Sequence, residues 1–301
     1  MTGIFAHAKA VISNDSGAMH IAAALGIPQI AVFGSTSPGW TSPLNKKAVV
    51  LQKNPGCAPC FERICRYALI TGGADRLGRA MALFLAEQGF NIALHYSRSK
   101  SASKQTQSLI EDTGRRCSIY QMVFDTDSDY SGLIRQVIQD FGGLGVLINN
   151  ASVFERDSLT DTTPEAIDKH MTVHLYAPLF LTQAFFQHSS AGGLVINMLD
   201  QRIRKTDTTY FSYTLSKQAL KHLTLMSAKT APPGFRVNAI CPGLILPPPG
   251  QNQSYLEQKA TSVPLQKPGS TDDILKALKY LLNAPFVTGQ LLFADGGESL
   301  L

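Results

Sequence analysis

Charged residues and tryptophan are scarce in this chain of 301 residues: 16% are Asp, Glu, Lys or Arg, and there is one Trp. With 44% hydrophobic residues, that scarcity excludes a disordered chain and leaves enough apolar side chains for a packed core. No run reaches the ~18 uninterrupted apolar residues that a membrane-spanning helix needs. The first twenty residues also lack the basic start and apolar stretch of a secretory signal. A cytoplasmic protein with no membrane partner is therefore expected. The formal net charge is only +5, and residues 1–65 hold five basic side chains against two acidic ones. Without a concentrated basic stripe, nucleic acid is not expected as a partner. Five Cys, three of them at Cys57, Cys60 and Cys65, do not form the even framework of a disulfide-stapled secreted domain. Three thiols with no fourth ligand nearby also fall short of a zinc site, so reduced thiols and no metal are expected.

At roughly 150 residues per domain, the length admits two ordinary domains or one large α/β domain with an appendage. Two patterns meet near residue 65. In the first, Ala10-Val11-Ile12 reads as a buried strand and Asn14-Asp15-Ser16-Gly17 as capping residues. Residues 18–25 then read as an apolar helix closed by Gly26, and Ile30-Ala31-Val32-Phe33 as a second strand. The start of such a helix presents free N–H groups and a positive dipole end, which suits a diphosphate. Simple capping of the helix by Asp15 or Ser16 accounts for the same residues.

The longer string from Asn14 through His20 to Gly26, then Phe33-Gly34-Ser35-Thr36-Ser37-Pro38, then Cys57-Ala58-Pro59-Cys60-Phe61-Glu62-Arg63-Ile64-Cys65, resembles the C-terminal half of bacterial ADP-heptose:lipopolysaccharide heptosyltransferases. In that family the D-S-G helix start and the following His line the nucleotide-sugar site. The resemblance stops in mid-pattern and lacks an acceptor-binding domain, so it implies that residues 1–65 are a truncated, inactive glycosyltransferase-like fragment. Its unpaired sheet edges need a cover or invite association.

The second pattern begins at Arg66. Tyr67-Ala68-Leu69-Ile70 reads as a buried strand, Thr71-Gly72-Gly73-Ala74-Asp75-Arg76-Leu77-Gly78 as a turn, and residues 79–88 as an amphipathic helix stopped by Gly89. Asn91-Ile92-Ala93-Leu94-His95-Tyr96 follows as a second strand. Strand, glycine turn, helix and strand form the dinucleotide-binding unit, in which glycines let backbone approach pyrophosphate at a helix N-terminus. An NAD site usually has an acid after the second strand to accept from the ribose 2′-OH. Here that place reads His95-Tyr96-Ser97-Arg98-Ser99. Together with Arg76 in the turn, this points to NADPH, although Arg98 and Lys100 also suit an ordinary exposed loop. Further strands at 119–124, 145–148 and 193–198 end at Asp125, at Asn149-Asn150-Ala151-Ser152 and at Leu199-Asp200. Each delivers a polar residue where open α/β sheets bind ligands, and Asp125 is placed to accept from an adenine amino group. The expected fold is α/β, a doubly wound parallel sheet over residues 66–301 with an N-terminal βαβ fragment.

Tyr213-Thr214-Leu215-Ser216-Lys217 puts a phenol and an ammonium on one helix face, where the charge should lower the phenol's pKa and make it a proton donor near neutrality. Pro242-Gly243 follows the strand at 236–241. These residues are the signature of the short-chain dehydrogenase/reductase family, which the chain resembles from residue 66 to its end. Three departures from the general pattern, Arg76 in the glycine turn, the HYSRS tail of the second strand and Asp200 thirteen residues before Tyr213, match pteridine reductases and dihydromonapterin reductases.

That resemblance implies NADPH held by Gly72, Arg76, Leu77, Gly78, His95, Tyr96, Ser97, Arg98, Ser99, Asp125, Asn150, Ala151, Ser152, Tyr213, Lys217, Pro242 and Gly243. It implies a dihydropterin placed by Ser152, Phe154, Asp200 and Tyr213, with Asp200, Tyr213 and Lys217 catalytic, and a homotetramer. Reducing a pterin C=N needs hydride at carbon and a proton at ring nitrogen, for which a carboxyl group is apt. Phe154 as a loop anchor and Asp200 as a helix cap or partner of Arg202 or Arg204 remain open. The family's helical Asn is His174 here, and His170 reads as a surface residue. A 3-oxoacyl thioester reductase of the same family, or a vestigial nucleotide-sugar binding module, are the alternatives.

Overall fold

Short apolar runs closed by glycine turns become parallel strands, and the helices between them cover the sheet faces. The computed structural model describes residues 2–33, 36–52, 66–189, 192–206, 208–248 and 250–301. The Cys57–Cys65 cluster and the Gly34-Ser35 step lie outside the described residues. The chain divides into two units, Met1–Arg63 and Ile64–Leu301. Among the described residues, no helix is long and apolar enough to cross a membrane.

The first unit contains α1 (Thr2–Ala6), β1 (Val11–Asn14), α2 (Gly17–Ala24), β2 (Gln29–Phe33), α3 (Pro38–Thr41) and β3 (Ala48–Gln52). Its three strands form one parallel sheet in the order β1-β2-β3. Helix α2 starts at Gly17, one residue earlier than expected, and Ser16 holds the N-cap place in extended conformation without a capping side-chain bond. Met19, Ala31 and Phe33 bury one face, while Ile12, Val32, Val49 and Leu51 stay exposed.

The second unit runs β4 (Tyr67–Ile70), α4 (Arg76–Glu87), β5 (Asn91–Tyr96), α5 (Lys100–Glu111), β6 (Cys117–Gln121), α6 (Tyr130–Phe141) and β7 (Val146–Asn149). It continues α7 (Pro164–Met171), α8 (Ala177–His188), β8 (Gly193–Met198), α9 (Phe211–Thr230), β9 (Phe235–Pro242), α10 (Gln253–Ala260), α11 (Thr271–Asn283) and β10 (Leu291–Ala294). The sheet order is β10-β9-β8-β7-β4-β5-β6, parallel throughout. This is the doubly wound sheet that the alternation of strands and helices predicts.

Strand alternation builds both cores. Ala68 and Ile70 pack with Met81, Leu85, Ile274 and Leu278; Leu69 faces the other way, toward Ile134, Val137, Leu181 and Phe185. After β6 the chain crosses back to pair β7 on the far side of β4, so the topological switch lies between β4 and β7, where such sheets open a ligand crevice. Thr71 joins the two strand ends there: its N–H donates to Ile148 O at 3.0 Å, and its hydroxyl oxygen accepts from the N–H groups of Asn150 and Ala151 at 2.9 and 3.0 Å. Helix α4 starts at Arg76 rather than Arg79, because Asp75 caps it by accepting from Arg76 N–H at 2.7 Å.

Candidate active site

The glycine turn at the switch point is packed tightly enough to demand its glycines. A Cβ on Gly78 would lie 2.1 Å from Gly72 O, and one on Gly72, whose φ is +61°, would lie 2.9 Å from Ala151 Cα. Asn150 Nδ2 donates to Thr71 O and Gly72 O, each at 3.0 Å. Arg76 adopts φ 51°, a left-handed conformation that costs a non-glycine residue of order 1 kcal/mol, and its guanidinium donates to Pro247 O at 2.8 Å. Leu77 packs against the core beneath the turn.

Beyond β5, Arg98 and Ser99 are exposed and Ser97 is half-buried. Ser99 stands at the N-cap of α5 with its hydroxyl not capping. No acid follows the strand, so the place offers hydroxyls and a cation to an anion. Strand β6 stops at Gln121, short of the expected Phe124, which leaves Asp125 in a turn where its Oδ1 accepts from Asp127 N–H at 3.1 Å and Ser128 Oγ at 2.8 Å.

Two expected cofactor contacts are corrected. The His95 ring is 1% exposed and turned inward, stacked on Phe124 at 4.3 Å. Its Nδ1 accepts from Gly72 N–H at 3.2 Å, which leaves the proton on Nε2 to donate to Met122 O at 2.9 Å. Burial pushes its pKa down to about 4, so the ring is neutral and supports the glycine turn instead of meeting a phosphate. Tyr96 is likewise buried in the core, with its hydroxyl 3.5 Å from Gln121 Oε1.

At the end of β8, Asp200 caps a short 3-10 turn, Gln201–Arg204, accepting from Arg202 N–H at 2.9 Å. Its Oδ2 accepts from the Tyr213 hydroxyl at 2.8 Å and lies 3.6 Å from the Arg202 guanidinium. Asp200 is thus at once a cap, an ion-pair partner of Arg202 and a partner of Tyr213. Arg204 turns elsewhere, over the Phe293 ring.

Lys217, one helical turn after Tyr213, is 3% exposed and donates to Met198 O at 2.7 Å. Burial pushes its pKa down to about 8. The expected lowering of the phenol pKa is overturned: burial first, then the charge of Asp200 and its hydrogen bond, hold Tyr213 well above the usual value, against a smaller opposing effect of Arg202. Tyr213 is a firmly protonated donor aimed at a carboxylate.

Phe154 forms a wall beside this pair. Its ring is 42% exposed, stacks on Tyr210 at 4.2 Å and meets Tyr213 edge-on at 4.7 Å. Ser152 Oγ lies 2.9 Å from His174 Nε2. His174 sits in a π-helical turn, Thr172–Tyr176, a local widening that recurs at functional sites. His170 is buried, not at the surface as expected, because α7 lays it against α9; its Nδ1 bonds Ala166 O at 2.8 Å. Pro242 ends β9, and a Cβ on Gly243 would lie 2.7 Å from Asp295 Cα.

One residue escaped the sequence reading. Asp157 accepts from Ser212 N–H at 3.1 Å, from the Ser212 hydroxyl and from Thr162 Oγ1 at 2.8 Å, and so caps α9 from a distant loop. The available signal was negative: Tyr210, at the N-cap position of α9, has no capping side-chain bond.

Comparison with known proteins agrees with this fold. Residues 72–299 match the family model described as Enoyl-(Acyl carrier protein) reductase, and residues 1–71 match Glycosyltransferase family 9 (heptosyltransferase). Two solved structures, FolM Alternative dihydrofolate reductase 1 from Brucella suis in complex with NADP and its Brucella canis counterpart complexed with NADP, are each 34% identical to this chain. The first has a TM-score of 0.74 and covers 79% of this chain and 96% of its own; the second has 0.75, with 80% and 97%. The uncharacterized oxidoreductase YhdF of Bacillus subtilis is 28% identical over 240 residues, 77% of this chain and 83% of the relative. A parallel sheet with a switch-point site of Tyr, Lys and Asp defines an oxidoreductase. The chain belongs to the short-chain dehydrogenase/reductase family.

Proposed function

We propose that the second unit reduces a dihydropterin to its tetrahydro form with NADPH. The observation that carries this reading is the 2.8 Å bond from the Tyr213 hydroxyl to Asp200, set beside the exposed ring of Phe154. A carboxylate in that place suits the amino and ring N–H groups of an aminopyrimidine, which donate to it, better than a carbonyl oxygen, which it would repel. Both Brucella proteins are named as alternative dihydrofolate reductases and were crystallised with NADP.

The residues present fit NADPH. The close contacts at Gly72 and Gly78 hold the turn in a shape that any side chain would destroy, and the start of α4 lies beside it. Ser97, Arg98 and Ser99, with no acid among them, suit a 2′-phosphate. When bound, NADPH supplies the hydride. Tyr213 holds the proton destined for the ring nitrogen, Asp200 orients that nitrogen's neighbours, and the Lys217 ammonium offsets the negative charge left on the phenol. Phe154 offers a flat apolar face for the planar ring system.

The experiment is NADPH oxidation by the full chain with dihydromonapterin, dihydrobiopterin, dihydrofolate and an acetoacetyl thioester. Turnover of at least one dihydropterin above the thioester is expected. Preference for the thioester would replace this reading with that of a carbonyl reductase.

A further inference from the structure

We propose that residues 152–157 form a strap pinned at both ends to the catalytic helix α9, with His174 and Asp157 as the positioning residues that set Phe154 against Tyr213. At the first pin, Val153 N–H donates to His174 Nε2 at 3.2 Å. A backbone N–H can only donate, so the imidazole proton lies on Nδ1. From there it donates to Ser216 Oγ at 2.8 Å, and the Ser216 hydroxyl donates to Tyr213 O at 2.7 Å. Both ring nitrogens are committed, which makes His174 a bolt between strap and helix rather than a carrier of protons.

At the second pin, Asp157 O accepts from Phe211 N–H at 3.1 Å, while its carboxylate takes the N–H and hydroxyl of Ser212. A carboxylate at a helix start satisfies free N–H groups and meets the positive end of the dipole. Thr162 closes the cluster, its hydroxyl within 2.8 Å of both Asp157 Oδ2 and Ser212 Oγ. Between the pins, the backbone of Phe154 makes no hydrogen bond among the described residues. Its ring lies 4.7 Å from that of Tyr213 and stacks on Tyr210, so the two anchors fix its backbone while Tyr210 and Arg202 flank the ring. Ser212 and Ser216 flank Tyr213 on the same helix, so each pin fixes the wall relative to the proton donor.

The kinetic test rests on the dihydropterin reading; the exchange test does not. In Asp157→Ala, KM for the dihydropterin should rise about tenfold, the value of one lost cap, with NADPH affinity, read by fluorescence titration, changed less than about twofold. Asp157→Asn keeps an acceptor for Ser212 N–H and should restore most of the loss. In the free protein, amide exchange at Val153 should quicken about tenfold in Asp157→Ala, although its own partner, His174, is untouched. If Asp157→Ala does not fold, Ser212→Ala serves, with a smaller rise in exchange of about threefold. Unchanged exchange at Val153 in a folded variant, or a KM equal to that of the wild type, overturns the strap. If the wild type turns over no dihydropterin, the proposed function fails and Val153 exchange alone decides the inference.

Discussion

The three-stranded sheet of the first unit leaves Ile12, Val32, Val49 and Leu51 in solvent, whereas every residue of β8 in the second unit is buried. The same contrast holds at the helix starts. Ser16 stands before α2 with its side chain idle; Asp75 caps α4, and Thr106 Oγ1 donates to Ala74 O at 2.9 Å to brace the turn. Both units carry a strand, a turn and a helix in succession. Among the described residues, one backbone bond from Asp15 N–H to Val32 O at 3.2 Å ties the first turn to β2, whereas side chains from several elements brace the second. A local motif thus becomes a shaped site when enough sheet and helix surround it to bury its supports.

If activity belongs to the braced unit alone, Tyr213→Phe should lower kcat/KM for the dihydropterin by about three orders of magnitude, within the usual span of general-acid effects, while NADPH titration remains unchanged. Loss of NADPH binding in that variant would mean that the two ends of the crevice are not separable. Arg98→Ala should weaken NADPH by about tenfold or more and NADH hardly at all, as removal of a charge-assisted bond to the 2′-phosphate requires. Lys217 sets a pH limit. Its pKa is lowered to about 8, so it is charged below that pH and loses its proton above it. Plots of log kcat/KM against pH should fall with unit slope beyond about pH 8, and Lys217→Arg should remove that limb. The smallest effect is reserved for the first unit: a chain beginning at Arg66 should show kcat and KM within about twofold of the full chain. A large loss there would give the first unit a part in the reaction.

The sequence made the second unit's order of elements legible, because glycine spacing and strand length are local properties. The pair Tyr213 and Lys217 was legible for the same reason: four residues on one helix share a face. Their electrostatics were not. Lys217 is the near neighbour in sequence, but burial and Asp200 dominate the phenol once the chain is folded. The resemblance carries His95 into the NADPH set with the rest of the HYSRS tail; the partners that turn it inward, Gly72, Met122 and Phe124, come from other elements. Asp157 was invisible because its partner, Ser212, lies 55 residues away, and nothing local distinguishes a capping Asp from a solvated one.

The inward turn of His95 also makes the nucleotide turn sensitive to acid. An unfolded histidine takes up its proton near pH 6.5, but the folded ring resists protonation down to about 4. Between those values the unfolded chain binds more protons, so stability is full above about 6.5 and falls as acid is added, by up to on the order of 3 kcal/mol. A proton forced onto Nδ1 would point one N–H at another, that of Gly72, and push the turn open from beneath. Acid should therefore loosen the nucleotide turn as the pH nears about 4, in the range where carboxylates also titrate, through a side chain buried beneath it.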